Sequence, residues 1–197
     1  IFGKSLTITS TAGAAATVVD AFGTGSVFEI GGALSTITVT IEGLTIRGGF
    51  GFEFIGGSPG GVSVHDGDVT LRDCVITNNL GGGSSAGGVG ISEGTLVLER
   101  CTIDTNQGGD TPPNKGGFSG RGGGGGIGVR PFSTNVTVDV RDCRITNNTG
   151  GDGITLFFGP GTGGAGGIET FILGTPVVDI RVTNSIIAGN QGCLLYT

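Results

Sequence analysis

The chain has 197 residues, 45 of them glycine, no methionine or tryptophan, and a formal charge of −6 from 10 basic and 16 acidic residues. That balance excludes the basic footprint needed to hold a phosphate backbone, so no nucleic-acid partner is expected, and no apolar run reaches the length of a membrane span. Such a glycine content without a Gly-X-Y period is usual in low-complexity chains, but only 13% of the residues are charged, and short alternating runs of Val, Ile and Leu give the chain surface to bury.

In chain order, the first alternating element is Val39-Thr40-Ile41, followed by Leu44 and Ile46 and closed by Gly48-Gly49. Gly61-Val62-Ser63-Val64 begins a second kind of element, and the turn His65-Asp66-Gly67-Asp68 leads from it into Val69-Thr70-Leu71-Arg72-Asp73-Cys74-Val75-Ile76-Thr77-Asn78-Asn79. The pair then recurs. Gly88-Val89-Gly90-Ile91 and Ser92-Glu93-Gly94-Thr95 precede Leu96 to Asn106; Gly126-Ile127-Gly128-Val129 precedes Val138 to Asn148; Gly167-Ile168-Glu169-Thr170 precedes Ile180 to Asn190. The glycines that open each short element are expected to serve the bend into it. Two insertions interrupt the series, at 108–125 and 149–166. Both leave just after the closing Asn and should emerge from one edge.

Aligned, the copies form columns. Two are Val39, Val69, Leu96, Val138, Ile180 and Ile41, Leu71, Leu98, Val140, Val182. A third is Leu44, Cys74, Cys101, Cys143, Ser185, its members 30, 27, 42 and 42 residues apart. A fourth is Ile46, Ile76, Ile103, Ile145, Ile187, and the last is Gly49, Asn79, Asn106, Asn148, Asn190. Period-2 apolar residues mark strands with one buried face. Identical strands at solenoid spacing stack in parallel, each coil burying its inner face against its own walls and its neighbours. The expected fold is all-β: a single-stranded right-handed parallel β-helix over 1–197, one domain, clearest across 60–190 and carrying two long loop insertions. The chain has no evident cap and reads as a segment of a longer protein. Cysteine is a small apolar filler for an inner stack. Parallel Cβ vectors suit a disulfide poorly, so Cys74, Cys101 and Cys143 are expected as free thiols, with Cys193 outside the ladder. Asparagine suits the corner because it tolerates a left-handed backbone and bonds its neighbours.

A Gly-Gly-x-x tetrad alternating with an apolar-x-x-Asn tetrad resembles the repeats of the polymorphic outer-membrane protein family, over roughly residues 60–190. Ile76, Ile103, Ile145 and Ile187 stand where that family carries Phe. The resemblance implies a secreted or surface-exposed β-helix, often an adhesive region.

Candidate chemistry is sparse. Asp73, Glu99 and Asp142, beside Arg72, Arg100 and Arg141, are the best carboxylates for a lyase-like or hydrolase-like site; the competing reading is an exposed ion-pair ladder. His65 with Asp66 and Asp68 is either an acid/base or metal group, or a plain turn. Asp152 begins a partial match to a calcium-binding β-roll nonapeptide, with Thr155 where that motif needs Asp. No cofactor is expected, and calcium at this partial match is the one candidate the sequence offers. Phe157, Phe158 and Arg121 in the insertions are the candidate ligand-binding residues, because insertions on one face often bind. Two functions follow: an extracellular or cell-surface structural or adhesive β-helix, self-associating end to end, or a carbohydrate-active enzyme or sugar-binding module.

Overall fold

A computed structural model describes residues 1–31, 37–52, 57–111, 122–153, 163–172 and 174–192. Its strands, in chain order, are β1 (Leu6–Thr9), β2 (Val18–Asp20), β3 (Phe28–Ile30), β4 (Thr38–Glu42), β5 (Thr45–Arg47), β6 (Val62–Val64), β7 (Asp68–Arg72), β8 (Val75–Thr77), β9 (Val89–Ile91), β10 (Gly94–Glu99), β11 (Thr102–Asp104), β12 (Ile127–Val129), β13 (Val136–Arg141), β14 (Arg144–Thr146), β15 (Ile168–Thr170), β16 (Val178–Thr183) and β17 (Ile186–Ala188). They form three parallel sheets, ordered β1-β4-β7-β10-β13-β16, β2-β5-β8-β11-β14-β17 and β3-β6-β9-β12-β15. Each of the first five coils places one strand in each sheet and the sixth adds β16 and β17 to the first two, which is the expected all-β solenoid.

Register follows the apolar columns. Val39, Val69, Leu96, Val138 and Ile180 are successive partners, as are Ile41, Leu71, Leu98, Val140 and Val182. A one-residue slip would turn every inner side chain to solvent. The same ladder begins one coil earlier than the sequence reading placed it. Leu6 and Ile8 pair with Val39 and Ile41, and Val19 pairs with Ile46. This first coil has neither the Cys nor the Asn that marks later copies. Ile46, Ile76, Ile103 and Ile145 are wholly buried, and Cys74, Cys101 and Cys143 are 1% exposed and free. Cys193 lies outside the described residues.

The corners need correcting in one respect. The left-handed residues are Gly48, Asn78, Thr105, Asn147 and Gly189, each one position before the Asn column, and not the column itself. A second left-handed column is Gly43, Asp73, Arg100, Asp142 and Asn184, between the first and second sheets. Short polar side chains tolerate that conformation, which gives Asp73, Asp142 and Asn184 a conformational reason to recur.

Freed from turning the chain, the Asn column is a buried amide ladder. Asn79 Nδ2 donates to Asn106 Oδ1 at 2.9 Å, Asn106 Nδ2 to Asn148 Oδ1 at 2.9 Å, and Asn148 Nδ2 to Asn190 Oδ1 at 3.0 Å. The second amide hydrogen goes to the isoleucine carbonyl of the coil before: Asn106 to Ile76 and Asn148 to Ile103, both at 2.9 Å. Each Oδ1 also accepts the backbone N–H of the preceding Asn. An interior rung thereby uses both donors and both lone pairs of its amide.

Past the Asn corner, the chain leaves the solenoid and returns as an arm packed by glycine. The outgoing residues Gly108, Gly109 and Gly151 and the returning residues Gly123 and Gly164 stack backbone on backbone, with Gly123 N–H donating to Gly109, Gly151 to Gly123 and Gly164 to Gly151 at 2.8–2.9 Å. A Cβ on Gly108 would lie 1.9 Å from the Gly123 carbonyl oxygen, and one on Gly150 1.9 Å from that of Gly164. Close approach therefore explains these glycines. It also explains Gly61, Gly88 and Gly126, whose expected role was a bend. None has a positive φ, and a Cβ on each would meet the carbonyl of its neighbour on the next coil at 2.4–2.6 Å.

Candidate functional site

The carboxylates singled out from the sequence sit on the corner between the first and second sheets. Asp73 and Glu99 share one guanidinium: Arg100 reaches Asp73 and Glu99 at 2.8 Å each, and Arg72 holds Glu99 at 2.8 Å and approaches Glu42 at 4.0 Å. Bonding to Arg100 holds Asp73 below the ordinary carboxylate range. Bonding to Arg72, then Arg100, does the same for Glu99. Asp142 stays outside this cluster and accepts a hydrogen bond from the Asn184 amide, while Arg141 turns back to Asp139. This is an exposed charge ladder, the competing reading weighed above, and its two central carboxylates are held ionised and engaged by arginine.

The three thiols are sequestered. Cys101 lies between the other two; its contacts with Cys143 and Cys74, reinforced by burial, push its thiol far above the ordinary range. His65 is exposed and 3.4 Å from the Ser63 hydroxyl through Nε2. Among the described residues, no three His, Cys, Asp or Glu side chains are grouped to hold a metal ion. Asp152 is exposed at the root of the second insertion. Its N–H donates to Asp110 Oδ1 at 2.8 Å, and its carbonyl accepts from Thr111 at 2.9 Å, so the two insertion roots are bonded side by side. Phe157, Phe158 and Arg121 lie outside the described residues.

The third sheet carries a site that the sequence reading did not find. Its outward column is Glu29, Ser63, Gly90, Gly128 and Glu169. The arm leading into each strand folds over the strand of the next coil. A Cβ on Gly90 would lie 2.2 Å from Pro59 Cγ, and one on Gly128 2.9 Å from Ala86 Cβ. Both faces of β6, β9 and β12 are consequently buried. Beside this cover runs a groove of about 260 Å³, with Ser63, Gly90 and Gly128 in its floor and His65, Ser92, Arg130 and Phe132 along one side. Arg130 closes one end. It donates to the Ser84 carbonyl, lies 3.9 Å from the buried Glu169 carboxylate, and sits 5.8 Å from the centre of the Phe171 ring. Phe132 is 69% exposed, and its loop is tied down by the Ser133 hydroxyl donating to Glu93 at 2.5 Å. The sequence signal was Glu169, a charge at an outward position where the two preceding coils have glycine.

Three parallel sheets wound by one chain, with an amide ladder at one corner, define a β-solenoid of the parallel β-helix class. Residues 27–197 match the family described as right handed beta helix region, and the chain belongs to that family. Comparison with curated proteins and with solved structures gives no match.

Proposed function

We propose that this chain is a structural and adhesive β-helix of the cell exterior, a stiff scaffold that presents its two insertions to a ligand. The observation that carries this reading is the glycine-packed arm. It brings the roots of the 108–125 and 149–166 insertions into direct hydrogen bonding at Thr111 and Asp152, so two loops 42 residues apart in sequence share one platform. The resemblance to polymorphic outer-membrane protein repeats supports an extracellular or cell-surface location. The engagement of Asp73 and Glu99 by arginine favours a scaffold over a hydrolase or lyase at those residues. End-to-end association with a second copy, through the open backbone edges of parallel strands, belongs to the same reading.

The test uses beads coated with the chain, retained under flow on films of polygalacturonate, xylan or cellulose. The scaffold reading expects retention on at least one film, lost when 112–121 and 154–162 are shortened, and no release of reducing ends. Equal retention by the shortened variant, or reducing ends whose release stops on Glu99→Ala, would replace this reading.

A further inference from the structure

We infer that the groove on the third sheet binds one ring of a neutral saccharide. This stands apart from the scaffold proposal and concerns other residues: repeating the film assay in the Phe132→Ala background removes the groove's own retention, so either can fail alone. Size comes first. At about 260 Å³ the groove falls just below the ~300–1,000 Å³ of sites for drug-sized molecules, which leaves room for a single ring and not for a folded peptide. Pro59 and Ala86, seated over Gly90 and Gly128, form its inner wall, and the open space lies between them and the His65, Ser92 and Phe132 side.

The lining sets the chemistry. Ser92 and His65 offer a hydroxyl and an imidazole, with the buried Ser63 hydroxyl 3.4 Å behind the imidazole; such groups both donate and accept and so match a ligand rich in hydroxyls. Phe132 supplies an exposed apolar face above them, and an aromatic wall beside polar groups suits a ring with one apolar face and a polar rim. Charge decides between neutral and acidic sugars. Among the described residues of the lining, Arg130 is the one Lys or Arg, and its guanidinium is already committed to Glu169, the Ser84 carbonyl and the Phe171 ring. A uronate would have to compete with Glu169 for it, on a chain whose net charge is −6. A neutral ring meets no such competition.

The groove is also held in shape before any ligand arrives. Pro59 and Ala86 press on the glycine floor, and Ser133 fixes the Phe132 loop to Glu93. Little ordering cost is then left to binding.

The experiment titrates the intact chain, labelled with ¹⁵N, with neutral oligosaccharides of glucose, xylose and mannose, and with an oligogalacturonate as the charged comparison. At least one neutral oligosaccharide should shift the amides of Ser92, Gly128 and Phe132 saturably, and the oligogalacturonate should bind more weakly. Phe132→Ala should weaken binding about tenfold or more, as loss of an aromatic anchor does, with an unchanged thermal midpoint because Phe132 is exposed. Ser92→Ala tests the polar side in the same way. The inference is overturned if none of the neutral sugars shifts those amides, if the oligogalacturonate binds best, or if Phe132→Ala binds as well as the parent chain.

Discussion

Replacing Asn106 by alanine isolates the contribution of the buried amide ladder. Asn106 is 1% exposed, between Asn79 at 2% and Asn148 at 0%. Truncation leaves the Asn79 N–H and one Asn79 amide hydrogen without their acceptor, and takes from the Ile76 carbonyl its donor at 2.9 Å. A buried donor left unpaired costs about 1–3 kcal/mol, so the two donors together should cost about 4 kcal/mol. With a urea slope of about 1–3 kcal/mol per M, the unfolding midpoint should fall by about 1–4 M. Asn190→Ala deletes the same pair of bonds to Asn148, but at the last rung, where water can replace them, and should cost about 1 kcal/mol. Asn106→Asp keeps the acceptor and sets a second oxygen against Asn148 Oδ1 and the Ile76 carbonyl, so its folded form favours the protonated acid. The folded carboxyl pKa is then raised; its contribution is fully present below the unfolded value of about 3.9 and lost as pH rises through the folded value. The aspartate variant should therefore be destabilised at pH 7 and approach the parent chain in acid. Urea titrations at pH 7 and pH 4 decide the matter. Equal losses for Asn106→Ala and Asn190→Ala, or an aspartate variant insensitive to pH, would refute the desolvation argument.

Two further outcomes follow from the same geometry. Gly108→Ala places a methyl 1.9 Å from the Gly123 carbonyl oxygen, with backbone on both sides; overpacking of this kind costs about 1–3 kcal/mol, so the thermal midpoint should drop by about 5 °C, while Gly25→Ala, with nothing within 4 Å of its Cβ, should leave it unchanged. Arg100→Gln removes the cation that Asp73 and Glu99 share. Their depressed carboxyls contribute stability that is present above the unfolded values, ordinarily 3.8 and 4.5, and lost as pH falls through the lower folded values. The gap between parent and variant in urea midpoints should be small at pH 7, shrink in ~1 M salt, and close on the acid side.

What the sequence made legible is what repeats with a chemical signature. Five copies of an apolar-x-apolar run, four of them ending in Asn, place four inner columns and a corner ladder in register, because a buried face tolerates no slip. Less was legible where the determinant is a distance and not a side chain. Gly88, Gly108 and Gly126 look alike in sequence. Only the carbonyls packed against them show that they permit close contact between coils and arms and do not turn the chain. The left-handed corners were misplaced by one residue because Asn78-Asn79 and Asn147-Asn148 offer two candidates, and buried hydrogen bonding, invisible in sequence, assigns the ladder to the second. The groove escaped for a related reason. Ser63, Ser92, Arg130 and Phe132 belong to three coils and show no common motif, and only the stacking of those coils brings them together.

The same division separates what the fold holds constant from what it lets vary. Inner columns stay within one class of residue over the last four coils, while the spacing between their members ranges from 27 to 42 residues. The extra length falls mostly in the arm beyond the Asn corner, with the remainder in the loop between β12 and β13, and the ladder bonds on either side of it are the same, 2.9 Å from Asn79 to Asn106 and 2.9 Å from Asn106 to Asn148. A coil can thus take up fifteen more residues, most of them at its arm, without disturbing the rung it rests on, since each coil depends chiefly on its nearest neighbours and the cost of a longer loop grows only slowly with length. Substitutions within the ladders should therefore read out as stability, and changes at 112–121, at 154–162 or in the groove as binding. Thermal midpoints and ligand titrations on the same variants distinguish the two.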